Sequence, residues 1–275
     1  MNNYIYYITG GTCDIGQAII HKLVKQNKKV VVLARDIKKA RLIIKNSKIT
    51  YQHFDLNKKL DNLLIPEKSI LIHCAWENSR DVYNKSHMQD VIKSHYKFID
   101  KMVSLGIEKV IVTGTCSEFG ITYGPVKSDD ETNPCTPYGL SKDYLHKSLR
   151  LLENSKNFKL IWLRLFNIYD ESIDKKTVAS LFCKAIKIHE DEFPMSFGNQ
   201  RFDYLSVNTA ANKIIKSANK TSGIYHICSG KPIKLRELLE RIRTEKKSNI
   251  KLKLGIYPYR DHEPLAIWGH NNDIK

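Results

Sequence analysis

A chain of 275 residues with 42% hydrophobic residues carries enough apolar material for one large core, or for a large domain with a smaller lobe, and points to a globular protein. A formal net charge of +16, from 45 Lys and Arg against 29 Asp and Glu, raises nucleic acid or an anionic small molecule as partners. The lysines fall in scattered pairs such as Lys28-Lys29, Lys58-Lys59 and Lys175-Lys176, without an aromatic-interleaved basic stripe, so no nucleic-acid partner is expected.

The opening MNNYIYYITGG runs directly into a strand-like segment, and no signal peptide is expected. No apolar run reaches about 18 residues, so no membrane partner is expected either. Six cysteines lie scattered without a CxxC pair, and ten histidines lie dispersed without HExxH spacing. This composition predicts free thiols in a reducing cytoplasm and no metal site.

Along the chain, short β-branched runs alternate with amphipathic helical stretches. Strands are predicted at Tyr4–Ile8, Lys29–Leu33, Ile49–His53, Ile70–His73, Lys109–Thr113 and Lys159–Arg164. The alternation predicts an α/β fold, a Rossmann-type doubly wound parallel sheet. After Tyr169 the pattern is less regular. Helices are expected near Val178–Ile188, Val207–Ser217 and Leu235–Arg243, and short strands near Gly223–Ile227 and Leu252–Gly255. The organisation expected is a main domain over 1–168 and a smaller mixed α/β substrate-binding lobe over 169–275, whose strands are free to return to the main sheet. No repeat or flexible linker separates the two.

Four segments carry chemistry. TGGTCDIG (Thr9 to Gly16) follows the first strand, where glycines make a tight turn and a helix N-terminus faces a pyrophosphate. KVVVLARD ends the second strand in Ala34-Arg35, without the carboxylate that holds ribose hydroxyls in NAD sites, so Arg35 can meet a 2′-phosphate. VIVTGTCSEFG ends the fifth strand in Thr115, a hydroxyl able to hold a carbonyl oxygen. In TPYGLSKDYL, Thr136 is the predicted N-cap and Pro137 the first helical residue, which puts Tyr138 and Lys142 on one face four residues apart. A neighbouring ammonium is expected to lower the tyrosine pKa from about 10 by roughly 1–3 units.

In this order the segments resemble the extended short-chain dehydrogenase/reductases of the NAD-dependent epimerase/dehydratase family. Its TGxxGxxG loop matches at Thr9, Gly10 and Gly16, with Cys13 at the middle glycine. The HxAx turn matches HCAW (His73 to Trp76), and Asp55-Leu56 matches the adenine-contacting pair. LRLFNIYD (Leu163 to Asp170) resembles RxFNxYG with Asp170 for the glycine, and RFDYLSV (Arg201 to Val207) resembles RDFxxV. YHICSGKPIKLRELL (Tyr225 to Leu239) resembles NxGxGxxxSxxEL with His226 for the asparagine. The resemblance spans nearly the whole chain.

The resemblance implies a catalytic set of Thr115, Tyr138 and Lys142. It implies nicotinamide-dinucleotide binding by Gly10, Thr12, Cys13, Asp14, Ile15, Gly16, Arg35, Asp55, Leu56, Cys74, Ala75, Trp76, Thr113, Tyr138, Lys142, Leu165, Asn167 and Ile168. Substrate contacts fall to Trp76, Cys116, Ser117, Asn167, Arg201 and Arg260, the two arginines as ligands of a nucleotide diphosphate. The PYRxxEP tail and GTCSEFG look most like nucleotide-sugar 4-ketoreductases of the CDP-abequose/CDP-paratose synthase or dTDP-4-keto-6-deoxyglucose reductase type. Nucleotide-sugar 4,6-dehydratases carry an Asp-Glu pair after the catalytic Thr, where this chain has Cys116 and Ser117.

The expected function is therefore NADPH-dependent 4-ketoreduction of a CDP- or dTDP-linked 4-keto-6-deoxy or 3,6-dideoxy sugar, for bacterial surface polysaccharide. The alternatives are a 4-epimerase with bound NAD and a non-catalytic NADP-binding regulator. A homodimer is expected. The sequence stops at Asn271 to Lys275, short of a final helix many relatives have, and either a minimal substrate lobe or a shortened chain is expected.

Overall fold

A computed structural model of the chain describes residues 4–56, 65–79, 81–172, 177–270 and 274. The lysine pairs at 58–59 and 175–176, and the tail except residue 274, lie outside the described residues. In chain order the elements are β1 (Ile5–Thr9), α1 (Asp14–Lys25), β2 (Lys29–Ala34), α2 (Ile37–Ile44), β3 (Thr50–His53), β4 (Ser69–His73), α3 (Asp90–Ser104), β5 (Ile107–Thr115), β6 (Gly124–Val126), α4 (Pro137–Ser155), β7 (Lys159–Leu165), β8 (Asn167–Tyr169), α5 (Val178–Lys187), β9 (Glu192–Pro194), β10 (Arg201–Phe202), β11 (Tyr204–Ser206), α6 (Val207–Ser217), β12 (Gly223–Ile227), β13 (Ile233–Lys234), α7 (Leu235–Glu245), β14 (Lys251–Lys253) and β15 (Ala266–Gly269). Two 3-10 turns, Lys85–Met88 and Cys116–Phe119, sit beside the site described below.

The main sheet has seven strands in the order β12-β7-β5-β4-β1-β2-β3, all paired in parallel. This is the Rossmann-type arrangement that the sequence predicts. Parallel strands are covered on both faces, so their residues are apolar throughout rather than in alternation. The period of two then divides neighbours between two cores. Ile8, Ile72, Ile111 and Ile161 join the layer under α1, α2 and α6. Tyr7, Leu71, Val110, Val112 and Trp162 join the layer under α3 and α4.

All six strands predicted before residue 165 are present, with ends within two residues of those expected. The segment after Tyr169 does not stay apart from this sheet. Strand β12 pairs with β7 from Gly223↔Ile161 to Ile227↔Leu165, and α6 packs in the same layer as α1. What remains is built around α5 and α7, whose Phe182, Leu238, Leu239 and Ile242 share a core with Met195 and Ile250. A four-stranded sheet, β13-β10-β15-β6, bridges this part to the turn after β5 through Phe119, Phe202 and Ile267.

Several imidazoles are enclosed in these layers. Burial holds His73 down to about 3, and His146 and His226 down to about 4. The unfolded chain, with ordinary histidines near 6.5, takes up protons first as the pH falls, so these groups favour the fold above that value. Stability is expected to decline progressively from about pH 6.5 towards 4. Thermal melts over that interval check this, and an unchanged midpoint sinks it.

Candidate active site

Because the strands of a parallel sheet all end at one edge, the turns after β1, β2, β3, β4, β5 and β7 lie together there. The chain reverses direction across the sheet between β1 and β4, which opens a crevice at the strand ends, the usual seat of a dinucleotide. Gly10, Thr12 and Cys13 follow β1, Arg35 follows β2, and Asp55 and Leu56 follow β3. Cys74, Ala75 and Trp76 follow β4, and Asn167 and Ile168 follow Leu165 at the end of β7. The cofactor residues expected from the sequence are thus gathered along this crevice.

The glycines of the first turn are required by space. Gly10 has φ +69°, and a Cβ there lies 2.6 Å from Ala75 N; a Cβ on Gly16 lies 2.3 Å from Gly10 O. Cys13 needs no such freedom, since its φ of −79° and ψ of 163° suit any L-residue. Its Sγ turns back as the N-cap of α1 and accepts from Gly16 N–H at 3.3 Å, while Asp14 and Ile15 open the helix. The departure from glycine therefore leaves the loop intact and places a thiol at its rim. These residues fit a dinucleotide: a tight turn, an exposed helix start and a switch point coincide.

On the other side of the crevice, Thr136 caps α4 by accepting from Gly139 N–H at 3.1 Å, and Pro137 is the first helical residue, as predicted. This start fixes Tyr138, whose N–H also donates to Val82 O at 3.1 Å. The Thr115 side chain lies against the Tyr138 hydroxyl and favours its charged form. Thr115 Oγ1 in turn accepts from Ser117 N–H at 3.2 Å. Lys142 is buried, donating to Thr113 O at 2.7 Å and lying 3.8 Å from the centre of the Trp76 ring.

The electrostatics correct one expectation. Tyr138 is not acidified: burial, with Glu118 and Cys116 nearby, raises its pKa, and the adjacent Thr115 side chain only partly opposes this. The Lys142 ammonium is 6.0 Å from the tyrosine ring and is engaged elsewhere. The lysine carries the shift instead, pushed down to about 7 by burial.

Beneath Thr115 lies a charged pair that the motif reading missed. Glu118 and Arg164 meet at 2.7 Å, both buried. The carboxylate also accepts from Thr115 N–H at 2.8 Å and from Trp162 Nε1–H at 3.1 Å, and Arg164 donates to Ser128 O at 2.9 Å. A glutamate at the strand end TCSEFG and an arginine inside the otherwise apolar run LIWLRLF were the available signal. Burial lifts the Glu118 carboxyl while Arg164 and these donors pull it back.

Two cavities that share lining residues lie beside this set, next to Thr115 and Tyr138 through Cys116 and Thr136. One of about 280 Å³ is lined by Cys116, Ser117, Cys135 and Thr136; it shares Asn167, Phe202, Arg260 and Glu263 with one of about 860 Å³. Arg260 lies at this junction, paired with Glu263 at 2.9 Å. Arg201 does not join it. Residues alternate across an extended segment, and Gln200 and Phe202 face the large cavity while Arg201 between them is exposed. Arg35 is held by Glu77 at 3.0 Å, and Asp36 caps α2 by accepting from Lys39 N–H.

Removing Glu118 strands a buried guanidinium, so Glu118→Ala is expected to destabilise the protein by about 3–5 kcal/mol. Urea unfolding measures this, and a change under about 1 kcal/mol refutes a structural role for the pair.

Comparison with known proteins agrees with this geometry. Over 265 residues, 95% of this chain and 98% of its relative, the sequence is 28% identical to a dTDP-6-deoxy-L-talose 4-dehydrogenase (NAD(+)) of Aggregatibacter actinomycetemcomitans. It is 28% identical to a dTDP-4-dehydro-6-deoxyglucose reductase of Escherichia coli, over 90% of this chain and 83% of that one. The fold matches a UDP-N-acetylglucosamine 4-epimerase from Methanobrevibacter ruminantium M1, in complex with UDP-N-acetylmuramic acid, with a TM-score of 0.85 at 23% identity, covering 98% of this chain and 90% of that one. Residues 6–228 match the model of the NAD dependent epimerase/dehydratase family, and the chain belongs to that family.

Proposed function

We propose that the chain is an NADPH-dependent reductase of the 4-keto group of a CDP- or dTDP-linked 4-keto-6-deoxy or 3,6-dideoxy sugar, in bacterial surface polysaccharide synthesis. The observation that carries this reading is the meeting of Thr115, at the end of β5, with Tyr138, at the start of α4, with Cys116 and Ser117 lining the cavity beside them. When bound, the nicotinamide supplies hydride to the carbonyl carbon. Thr115 orients the carbonyl oxygen and Tyr138 gives it a proton, so ketone becomes alcohol. Burial supports this direction, because it keeps Tyr138 protonated. The Lys142 ammonium favours the negative charge that Tyr138 takes on as it donates.

The residues after Thr115 argue against elimination of water. Cys116 is pushed up to about 12 by burial and Ser117 is a neutral hydroxyl, while the Glu118 carboxylate is committed to Arg164. No acid–base pair is left free there for a dehydratase. Asn167 and Arg260, shared by both cavities, are the proposed contacts to sugar and diphosphate.

For the cofactor, the end of β2 offers no free carboxylate, since Asp36 is used as a helix cap. Arg35 is 66% exposed in its pair with Glu77, and exposed pairs are worth only about 0–1 kcal/mol. It can therefore exchange Glu77 for a 2′-phosphate. The second reading is an NAD-linked 4-dehydrogenase or epimerase, favoured by the same Arg35–Glu77 contact if it persists.

Incubation with NADPH and a panel of CDP-, dTDP-, GDP- and UDP-4-keto-6-deoxy sugars, followed by nicotinamide absorbance, is expected to show oxidation with one CDP or dTDP member. Tyr138→Phe is expected to lower kcat at least about a hundredfold while leaving NADPH affinity nearly unchanged; a fully active variant refutes the acid. As Lys142 acts charged, kcat is expected to fall as the pH rises through about 7.

A separate measurement addresses the cofactor. Wild type is expected to prefer NADPH over NADH by at least about tenfold in kcat/KM, and Arg35→Ala to lose most of that preference. Tighter use of NADH by the wild type decides for the second reading.

A further inference from the structure

We infer that Trp76 is a positioning residue of the reaction, its indole face seating the Lys142 ammonium while His87 and His95 hold that face in place. The inference rests on the reading of Tyr138 and Lys142 as the reacting pair. It differs from the cofactor and sugar contacts that the motif implies for Trp76.

The indole is fixed from several elements. Its Nε1–H donates to His87 Nδ1 at 3.2 Å, and its ring stacks on His95 with centroids 4.5 Å apart and planes 20° from parallel. Its edge meets the Tyr138 ring at 6.1 Å and 80°. The supports are themselves held. With His87 Nδ1 accepting from the indole, its ring proton lies on Nε2, which donates to Asp81 O at 2.9 Å. His95 Nδ1 meets His73 Nε2 at 2.6 Å, and His73 Nδ1 meets Thr9 Oγ1 at 2.8 Å. A ladder of rings thus runs from the phosphate-loop strand to the lysine.

At its end, Lys142 has one carbonyl partner, Thr113 O, and the indole face at 3.8 Å. The negative potential over an indole face attracts an ammonium, most strongly where water is excluded. The other groups facing the lysine are Glu118 from the turn after β5, Cys74 and His73 from the end of β4, His95 from α3, and Tyr138 from its own helix. His73 and His95 are kept neutral by burial. Glu118 favours the charged lysine but is already committed to Arg164. Alongside Glu118, Cys74 and Thr113 O, which also favour the charged lysine, the indole face opposes the loss of charge that burial promotes.

The test uses Trp76→Phe, which keeps a ring, and Trp76→Leu, which removes it. In the leucine variant the alkaline limb of kcat is expected to move to lower pH by about one unit, with phenylalanine restoring most of the shift. Identical limbs in wild type and both variants overturn the seat. A readout without turnover separates this from the functional reading. The emission difference between wild type and Trp76→Phe isolates Trp76 from Trp162 and Trp268, and it is expected to step near the Lys142 value of about 7. Lys142→Met is expected to abolish the step. If no sugar is turned over yet this step appears and depends on Lys142, the reductase reading fails and the seat stands. A flat Trp76 emission, or a step that survives Lys142→Met, refutes the seat even if the enzyme is active. Phe in place of Trp is the milder change, so this arm remains readable if the leucine variant does not fold.

Discussion

Two opposite charges shut away from water beneath Thr115 set the terms for everything at this edge of the sheet. A buried ion pair loses so much hydration that it holds only when its remaining donors and acceptors are also satisfied. Here the Glu118 carboxylate takes Arg164, the Thr115 N–H and the Trp162 indole, and Arg164 adds Ser128 O. The requirement reaches back into the sequence. A Cβ on Gly114 lies 2.3 Å from Trp162 Nε1 and 2.6 Å from Glu118 Oε1, so the strand must carry a glycine immediately before Thr115. The position of the Thr115 hydroxyl follows from the pairing of residues that do not react.

The exclusion of water that makes this pair demanding also sets the proton affinities around it. It raises Tyr138, raises Cys116 to about 12 and lowers Lys142 to about 7. A simple attraction between a tyrosine and a lysine four residues apart predicts the reverse for Tyr138. That prediction fails because helical spacing brings two residues to one face without deciding where their ends point. Lys142 reaches past the phenol to Thr113 O and the Trp76 face. A tyrosine kept protonated suits proton donation, and a lysine near neutrality makes the site sensitive to whatever stabilises its charge.

Local features were legible in the sequence, and distant pairings were not. Helix Val207–Ser217 and strand Gly223–Ile227 have the predicted bounds, since period and caps are written within a dozen residues. The Thr136 cap and Pro137 start are local in the same way. Glu118 and Arg164 lie 46 positions apart, and Arg35 and Glu77 lie 42 apart; only the sheet brings them together. Arg201 illustrates a finer limit. The motif located the segment, but whether a residue faces the cavity depends on a register of one, and here Phe202 took the inward position. Its neighbour Asp203 is buried and accepts from Ser229 and Gly230 N–H at 2.6 and 2.7 Å, which fixes that register.

The ion pairs of the site divide into two kinds, and the division matches what the proposed chemistry demands. Glu118–Arg164 is inaccessible, and neither partner can leave without stranding the other. Arg35–Glu77, beside the crevice, and Arg260–Glu263, at the junction of the cavities, have arginines 66% and 67% exposed. Exchanging an exposed partner costs little, since such pairs contribute about 0–1 kcal/mol. Under the proposed function these are the two arginines that meet phosphate, one on the cofactor and one on the substrate. An arginine held loosely by a carboxylate is kept extended, yet it is released at small cost when a better bidentate acceptor arrives. The fixed pair holds the reacting hydroxyl, and the exchangeable pairs hold the guanidiniums for whichever anions enter.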